Sequence, residues 1–460
     1  MIELNIMEQN ERWQFPTDNH DQTGQFDPVV HGFKGITSVS LNGFPTPAID
    51  ARVAQLTQEL SDEFPFNLDI NSGFPLGVGW AQETVKHGVR SSSFTSYLGP
   101  EFASRPNLHV LLNAQAIRVS PITRDDRRAS SASTFGLVEF ARDRNDVHRT
   151  VSATKEILIS GGSLETPKLL MNSGIGDSAV LPTLGISPLI HLPDVGKNLS
   201  VHIAVNLPFF VNETFKETTF DDNIRNSTRR EGLIREWQKT GGGGPFGVAY
   251  VSHFVYSRLP EDAPGMLDAE GDPSSGPFSP HIGTTTQNGN LNPPPEGYFF
   301  SAPATLLTPT SRGTISINTT DPFAQPIINF GCLTTQFDVF ALREAIKSVW
   351  RFVSASAWDG YILRPAISIS VDSSDEELEA YARGNAAPNG HIVGTAAMSS
   401  KGAAYGVVDP DLKVKGTRGL RVVDASVLPF VPAGNTMAPI YAFAERVADL
   451  IKVEWAGSHK

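Results

Sequence analysis

The sequence predicts a chain with two architectures, an α/β domain and an α+β domain built on a mostly antiparallel sheet. The α/β part is indicated near the C-terminus, where the β-branched run LRVVDASV at residues 420–427 precedes an apolar pattern with helical spacing. The α+β part is indicated at residues 205–375, where several strand patterns are separated by turns. The length of 460 residues permits a large core shared between two domains.

Composition narrows the classes of protein to which the chain can belong. Hydrophobic residues make up 40% and charged residues 19%, as in globular proteins, and no apolar run is long enough to span a membrane. The net charge of −12 argues against a nucleic-acid partner, which requires a basic face. The single cysteine, Cys332, forbids an intramolecular disulfide. Residues 1–15 lack the pattern of a signal peptide, and the localisation stays open.

The first part of the chain alternates loops with predicted helices and strands. Residues 6–15 predict a helix and residues 16–35 a polar loop, and residues 48–62 predict a helix from their apolar spacing. Three strand patterns follow, NLHVLLNAQAIRV, FGLVEFAR and ATKEILISGG.

A strand-to-helix turn is predicted at ISGGSLETPKLLMNSGIG, residues 159–176. Gly161 and Gly162 allow close approach to the backbone, Thr166 is expected to cap the helix, and Pro167 is expected at its first position. Taken without any family context, this is merely a turn, and a functional role is the minority interpretation.

Residues 205–375 predict the antiparallel sheet through the patterns NLPFFV, VAYVSHFVY, YFFSAPATLL, GTISINTT and PIINFG. The insertion at 259–298 is either a controller of access to a buried site or a surface excursion. Residues 338–355 predict an amphipathic helix.

One stretch in this region, GGGGPFG at residues 241–247, matches the spacing of a dinucleotide-binding fingerprint. That fingerprint requires a strand before it and a helix after it, whereas a helix pattern precedes this stretch and Pro245 interrupts it. A flexible loop is therefore the preferred interpretation. The chain also lacks C-x-x-C, H-E-x-x-H and G-x-S-x-G, so no metal site and no hydrolase is predicted.

Several candidate functional features of the sequence lie in the C-terminal run from His391 to Ile451. Asp424 stands near the end of the predicted strand, and Asn435 or Thr436 is expected to cap the helix that follows. The apolar positions of that helix are Ile440, Phe443, Ala444, Val447, Leu450 and Ile451. A helix N-terminus offers free N–H groups and partial positive charge, which suit an anion or a polarised carbonyl.

These two stretches, residues 159–176 and 391–451, resemble the two signatures of the glucose-methanol-choline (GMC) oxidoreductases, flavoenzymes that oxidise alcohols. Within that family the resemblance is greatest to the fungal aryl-alcohol oxidases, through SDEFPFNLDINSGFPLGVGW, RSSSFTSYL, DVGKNLS and TPTSRGTISI. The resemblance runs from about residue 30 to the end. It implies FAD as cofactor and a flavin-binding, Rossmann-like domain beside a substrate domain.

The resemblance also implies a division of the chain. We expect a remnant of the N-terminal flavin-domain region at residues 1–40, substrate-side helix and loops at 41–99, flavin-domain segments at 100–204 and 376–460, and the substrate-binding domain at 205–375. Family members carry an ADP-binding strand, glycine turn and helix before the point that matches residue 1, so the flavin domain is expected to be incomplete. Two explanations stay open: the sequence is a shortened gene model of a working enzyme, or it is a degenerate copy.

The resemblance assigns the reaction to particular positions. Oxidation of an alcohol requires a base for the hydroxyl proton, which suits a histidine, and a cofactor that accepts hydride. His391 in HIVGT matches the family's catalytic histidine, and Asn435 matches its second polar group, although a helix cap is the alternative role for Asn435. The implied cofactor-binding positions are Ala116, where an ordinary strand residue is the alternative, Asp424, Ala425, Thr436 and Met437.

Three positions depart from the family pattern. Val201 precedes His202 where an aspartate is usual, Gly390 precedes His391 where an aromatic residue is common, and Gly283 stands where an acidic residue is common. The last two leave the substrate class open.

The leading hypothesis is FAD-dependent oxidation of a primary alcohol, with aromatic and allylic alcohols as candidates, and with oxygen or a quinone as electron acceptor. Two alternatives stay open. One is a flavin-containing lyase that cleaves cyanohydrins, and the other is a truncated, inactive member that binds no flavin.

Overall fold

A computed structural model describes residues 10–43, 46–122, 133–263, 266, 274 and 276–456 of the chain. The strands in this part are short, and in chain order they are β1 (Glu11–Trp13), β2 (Thr37–Leu41), β3 (Gly77–Trp80), β4 (Gln82–Glu83), β5 (Val85–Lys86), β6 (Val89–Arg90), β7 (Gln115–Pro121), β8 (Ser133–Ala141), β9 (Arg149–Ser152), β10 (Ile157–Ile159), β11 (Ile175–Gly176), β12 (Ile190–His191), β13 (Ile203–Val205), β14 (Pro208–Val211), β15 (Val251–Ser257), β16 (Ile282–Gln287), β17 (Phe299–Ser301), β18 (Ala304–Leu306), β19 (Thr314–Ser316), β20 (Ile327–Asn329), β21 (Ile362–Pro365), β22 (Ala387–Pro388), β23 (Thr417–Arg418) and β24 (Leu420–Val422).

The α-helices of the same residues, again in chain order, are α1 (Pro47–Glu59), α2 (Ser93–Tyr97), α3 (Pro100–Ala103), α4 (Gly162–Asn172), α5 (Asp221–Arg225), α6 (Ser227–Thr240), α7 (Gln336–Val353), α8 (Asp375–Asn385) and α9 (Met437–Ala456). Among the described residues, none of these helices is both long and apolar enough to cross a membrane.

The chain forms two compact units. Unit 1 comprises residues 1–108, 203–308 and 335–387, and unit 2 comprises residues 109–202, 309–334 and 388–460. Residues 309–334 thus belong to unit 2, although the sequence prediction groups them with residues 205–375. The five-segment division itself stays a prediction.

Unit 1 is built on an antiparallel sheet with the strand order β21-β14-β17-β16-β18-β13, in which β15 pairs with β16 and β3. The predicted α+β architecture with a mostly antiparallel sheet is therefore confirmed. α7 packs on β16 and β18. This helix begins after Thr335, whose hydroxyl accepts a hydrogen bond from the backbone N–H of Asp338 at 3.4 Å. It buries Leu342, Ile346 and Val349, which recur at helical spacing.

Unit 2 has the strand-then-helix order of an α/β domain. β10 and β24 are parallel neighbours, and each is followed by a helix, α4 or α9. Their core is formed by apolar side chains from both strands and both helices, including Ile159, Leu170, Val422 and Val447. The predicted C-terminal helix buries Val447 and packs Phe443 and Ile451 against this core, as the apolar spacing indicated.

The prediction of a helix at residues 6–15 is wrong for residues 11–15, whereas residue 10 is helical and residues 6–9 lie outside the described residues. Residues 11–13 form β1, which pairs in parallel with β2. The backbone N–H of Trp13 donates to the carbonyl of Gly32 at 2.8 Å, and the Trp13 ring stacks on Phe26. Pairing with a distant strand and burial of Trp13 therefore override the local preference.

A buried histidine joins β1 to two loops of unit 1. Nδ1 of His31 lies 2.8 Å from Glu11 Oε1, and Nε2 lies 2.7 Å from Asp69 Oδ2. Burial alone would lower the pKa of His31, but the hydrogen bonds to Asp69 and Glu11 outweigh it and raise the pKa to about 9.

We expect this cluster to make the free energy of unfolding fall as the pH rises into the alkaline range. The pKa of His31 is raised from 6.5 to about 9, so its contribution is complete below pH 6.5 and lost as the pH rises through 9. The loss is on the order of 3 kcal/mol. Urea unfolding at pH 6 and pH 9.5 measures it, and His31→Asn should flatten the pH dependence. The control His20→Asn alters a more exposed pair with Asp18 and should leave the pH dependence unchanged.

Candidate active site

Two backbone contacts in unit 2 hold His391 beside His202. Ser200 and Val393 form an antiparallel β-bridge, with N–H to O distances of 3.0 and 2.9 Å in the two directions. Further along, the backbone N–H of Asn389 donates to the carbonyl of His202 at 2.9 Å. Regular pairing would have given this bond to His391, so residues 390 and 391 bulge out of the ladder between the two contacts. His391 is therefore held next to His202.

The two histidines are hydrogen-bonded to each other. Their Nδ1 atoms lie 2.9 Å apart, and their rings meet edge to face with centroids at 5.0 Å and an interplanar angle of 87°. His202 is buried, and its Nε2 lies 2.9 Å from the carbonyl oxygen of Pro432. His391 is partly buried, and this burial lowers its pKa below the ordinary value of 6.5. The imidazole of His391 is therefore neutral at neutral pH.

α4 fixes the backbone on the C-terminal side of His391. The hydroxyl of Ser163 donates to the carbonyl of Ile392, and the hydroxyl of Thr395 donates to the carbonyl of Ser163, each at 2.6 Å. Gly394 allows this segment to lie close to its neighbour, because a Cβ at that position would come within 2.4 Å of the carbonyl oxygen of Asn198.

The start of α4 differs from the prediction. The helix begins at Gly162, so Thr166 is not its cap and Pro167 lies inside it. A proline there leaves the carbonyl of Ser163, four residues earlier, without its helical N–H donor. The hydroxyl of Thr395 supplies that missing donor. The same contact that repairs the helix thus anchors the segment of His391.

Asp424 is placed at the end of β24, where the prediction put it, and both of its carboxylate oxygens are engaged. Oδ2 accepts from the backbone N–H of Gly162 at 2.9 Å and from the hydroxyl of Thr166 at 2.6 Å. Oδ1 accepts from the backbone N–H of Ser426 at 2.8 Å and from its hydroxyl. A carboxylate has about four acceptor positions, and all are in use. Asp424 therefore joins the turn before α4 to the segment that contains Ala425.

The loop before α9 is held by alternate side chains of residues 198–202. The amide of Asn198 donates to the carbonyl of Pro429 at 2.7 Å, Ser200 Oγ accepts from the backbone N–H of Val431 at 3.3 Å, and His202 binds Pro432. This loop leads directly to Asn435, which is exposed. The start of α9 is thereby tied to the histidine pair.

Thr436, and not Asn435, occupies the cap position of α9. The helix begins at Met437, and the carbonyl of Thr436 accepts from the backbone N–H of Ile440 at 3.1 Å. No hydrogen bond links Asn435 to His391 in the part of the chain that the structure describes. The predicted pair is therefore not joined by a direct hydrogen bond within the described chain.

Ala116 lies apart from these groups, on a cavity of about 460 Å³ within unit 2. The cavity is lined by β10, the first turns of α4 and residues 322–325, with apolar walls from Val119, Ile157, Leu169 and Phe323 and with the polar ends of Glu165 and Lys168. Apolar walls with a few polar groups are typical of a pocket for a small organic molecule.

No motif in the sequence assigns a role to His202. The sequence shows only that Val201, beside it, replaces an acidic residue. The alternation of Ser200 and His202 about the apolar Val201 is the signal that could have indicated an extended segment with polar side chains on one face.

Comparison with known proteins decides the family. The GMC oxidoreductase family models match residues 60–204 and 309–444, which together exceed half of the chain. The chain belongs to the GMC oxidoreductase family. Its relatives include the dehydrogenase eriK of Hericium erinaceus, 41% identical over 95% of this chain and 72% of the relative. Pyranose dehydrogenase 3 of Leucoagaricus meleagris is 36% identical over 98% of this chain and 74% of the relative.

Solved structures of GMC oxidoreductases share the fold. A formate oxidase variant from Aspergillus oryzae superimposes with a TM-score of 0.85 at 25% identity, covering 98% of this chain and 78% of that one. A fungal aryl-alcohol oxidase, the branch indicated by the sequence, superimposes with a TM-score of 0.81 at 24% identity, covering 99% and 79%. The α/β flavin-binding domain beside an α+β substrate domain is thereby confirmed.

Members of this family are FAD-dependent dehydrogenases and oxidases that act on CH–OH donors, with oxygen or another acceptor. Two observations in unit 2 fit FAD. The cavity lined by Ala116 combines apolar walls with a few polar groups, as small-molecule pockets do, and Gly161 and Gly162 at the start of α4 present backbone without side chains. Gly162 has φ of +76°, and a Cβ there would meet no atom within 4 Å. The residues present therefore fit the cofactor that the family uses.

Proposed function

We propose that this GMC oxidoreductase oxidises a primary alcohol to the aldehyde, with His391 as the base that takes the hydroxyl proton. The observation that carries the proposal is the geometry of His391: its imidazole is partly buried and bonded to His202, and the backbone beside it is held by Ser163 and Thr395. A base must be unprotonated before the reaction, and burial ensures this at neutral pH.

FAD, when bound, supplies the acceptor for the hydride that leaves the alcohol carbon. We assign its adenine end to the backbone near Ala116 and its pyrimidine end to the backbone of Thr436 and Met437 at the start of α9, where a helix N-terminus favours negative charge. Because the carboxylate of Asp424 is saturated by other contacts, we assign it the indirect role of holding Ala425 and the turn at Gly162 in place.

Asn435 receives a supporting role in the same proposal. Its amide can hydrogen-bond the substrate oxygen but cannot carry its proton, which leaves His391 as the base. The exposure of Asn435 and its position between the His202-anchored loop and α9 support this assignment.

The substrate class has two candidates. The resemblance to aryl-alcohol oxidases favours aromatic and allylic primary alcohols as the first, although Gly390 departs from the pattern of that branch. A sugar hydroxyl is the second, favoured by the pyranose dehydrogenases that are 36–37% identical to this chain. Because these relatives are dehydrogenases and not oxidases, we favour a quinone over oxygen as the electron acceptor.

An assay of the purified chain, loaded with FAD, tests the proposal. Benzyl alcohol, an allylic alcohol, glucose and a cyanohydrin are each supplied with oxygen or benzoquinone, and both products and acceptor reduction are measured. We expect an aldehyde from at least one primary alcohol, together with reduced quinone. Oxidation of glucose alone would show that the substrate is a sugar and not an aromatic or allylic alcohol. Release of cyanide without acceptor reduction would establish a lyase.

A further inference from the structure

The protonation of the histidine pair follows from one contact of His202. Its Nε2 lies 2.9 Å from the carbonyl oxygen of Pro432, and a carbonyl oxygen can only accept. Nε2 of His202 therefore carries a hydrogen. A neutral imidazole has one donor and one acceptor nitrogen, so Nδ1 of His202 must accept.

The acceptor at Nδ1 of His202 determines the state of its partner. The Nδ1 atoms of His202 and His391 are 2.9 Å apart, so Nδ1 of His391 must be the donor. Its Nε2 then carries the lone pair, and within the described chain no hydrogen bond occupies that atom. We propose that His202 is a positioning residue that holds His391 in the Nδ1–H tautomer and so makes Nε2 the proton acceptor. This inference rests on the proposed role of His391 as base.

The opposite arrangement is unfavourable. If Nδ1 of His202 donated to His391, both nitrogens of His202 would carry hydrogens and the ring would be positively charged. His202 is only 1% exposed, and burial of a charge disfavours the charged form. The neutral, accepting form of His202 is therefore favoured.

The arrangement also suits the proton transfer. The O–H bond of the alcohol breaks and Nε2 of His391 gains the proton. The flavin, when bound, would supply the acceptor for the hydride that leaves carbon. Throughout this step Nδ1–H of His391 keeps its acceptor, so the new imidazolium remains hydrogen-bonded. The ladder at Ser200 and Val393 and the tie to Pro432 hold both rings at fixed positions.

Two nearly isosteric variants separate hydrogen bonding from packing. His202→Asn retains an acceptor oxygen near the position of Nδ1, whereas His202→Leu has the same shape without an acceptor. His253→Leu is the matched control, because His253 is a buried histidine of unit 1 that bonds Thr286 and has no place in the site. Thermal unfolding of all three variants reports general loss of stability.

The first readout is ¹⁵N NMR of histidine-labelled protein, with the His391 signals assigned by their loss in His391→Gln. We expect protonated Nδ1 and unprotonated Nε2 at pH 8 in the wild type and in His202→Asn, and mixed tautomers in His202→Leu. Protonated Nε2 in the wild type, or an unchanged tautomer in His202→Leu, would overturn the proposal.

The second readout is the kinetics of the FAD-loaded enzyme. We expect His202→Leu to lower kcat roughly 10–100-fold with little change in KM, as for other residues that orient a reacting group. His202→Asn should recover most of this loss. Equal kcat losses in the Leu and Asn variants would overturn the positioning role. If NMR shows the expected tautomers but no alcohol is oxidised, the positioning proposal stands and the proposed function fails.

Discussion

Replacement of His391 by glutamine is expected to lower kcat for alcohol oxidation by about 10²- to 10⁴-fold, the usual contribution of a general base. Glutamine can still donate a hydrogen bond toward His202 but cannot accept the proton. Because the substitution keeps a polar side chain of similar size, the fold and the bound flavin should be retained. The measurements are kcat by acceptor reduction and the flavin-to-protein ratio from the absorption spectrum.

His191→Gln serves as the control, since His191 is an exposed histidine of unit 2 that bonds Ser178. It should leave kcat within about twofold of the wild type. The wild-type pH profile adds a second check. Because burial lowers the pKa of His391 below 6.5, kcat/KM should rise with pH through an inflection below that value and stay level at neutral pH. A flavin-loaded His391→Gln variant with nearly full kcat would rule out His391 as the base.

The long helices and the type of sheet were predictable from the local pattern of apolar and polar residues. The helix expected at residues 48–62 is α1, the one expected at 338–355 is α7, and the C-terminal one is α9, each with ends displaced by a few residues. In each of them apolar side chains recur at helical spacing, which is information carried by neighbouring residues. The glycine-rich stretch at 241–247 follows α6, so it lacks the preceding strand that a dinucleotide fingerprint requires.

The predictions of local structure that proved wrong concern positions where residues distant in the sequence decide the structure. Pro167 sits inside α4 because Thr395, more than 200 residues away, replaces the missing donor. β1 replaces a predicted helix because β2 pairs with it. Neither partner is visible in a local window, so local rules fail at these positions.

In the candidate site, too, some features follow from local motifs and others depend on residues that are distant in the sequence. His391 and Asp424 could be named from motifs, but the saturation of the Asp424 carboxylate depends on Gly162, Thr166 and Ser426 meeting in space. His202 could not be found from its own segment, because its role comes from the hydrogen bond that it makes to His391 in the folded chain. Motifs therefore named the candidate base, while the contacts that support it required the fold. The roles of the site residues themselves stay predictions.

Replacement of Arg421 by methionine is expected to destabilise the protein by about 3–5 kcal/mol, the usual cost of leaving a buried charge without its partner. Arg421 is 1% exposed on β24, and its Nε lies 2.7 Å from Glu156 Oε2, whose side chain is 8% exposed. The guanidinium also binds Glu454 near the end of α9. Methionine fills similar volume, so the loss measures mainly the stranded carboxylate of Glu156. Urea unfolding followed by circular dichroism provides the measurement.

Lys452→Met is the control, because Lys452 is 73% exposed and pairs with Asp449 on the surface, where such pairs contribute little. A second variant, Arg421→Met with Glu156→Gln, removes the stranded charge and should recover part of the stability. Glu156 also accepts from Trp455 at 2.7 Å, so the network fastens the C-terminal end of α9 while the loop bound by His202 fixes its N-terminal end. A loss below about 1 kcal/mol in Arg421→Met would show that water reaches this cluster and that α9 is held by its apolar face alone.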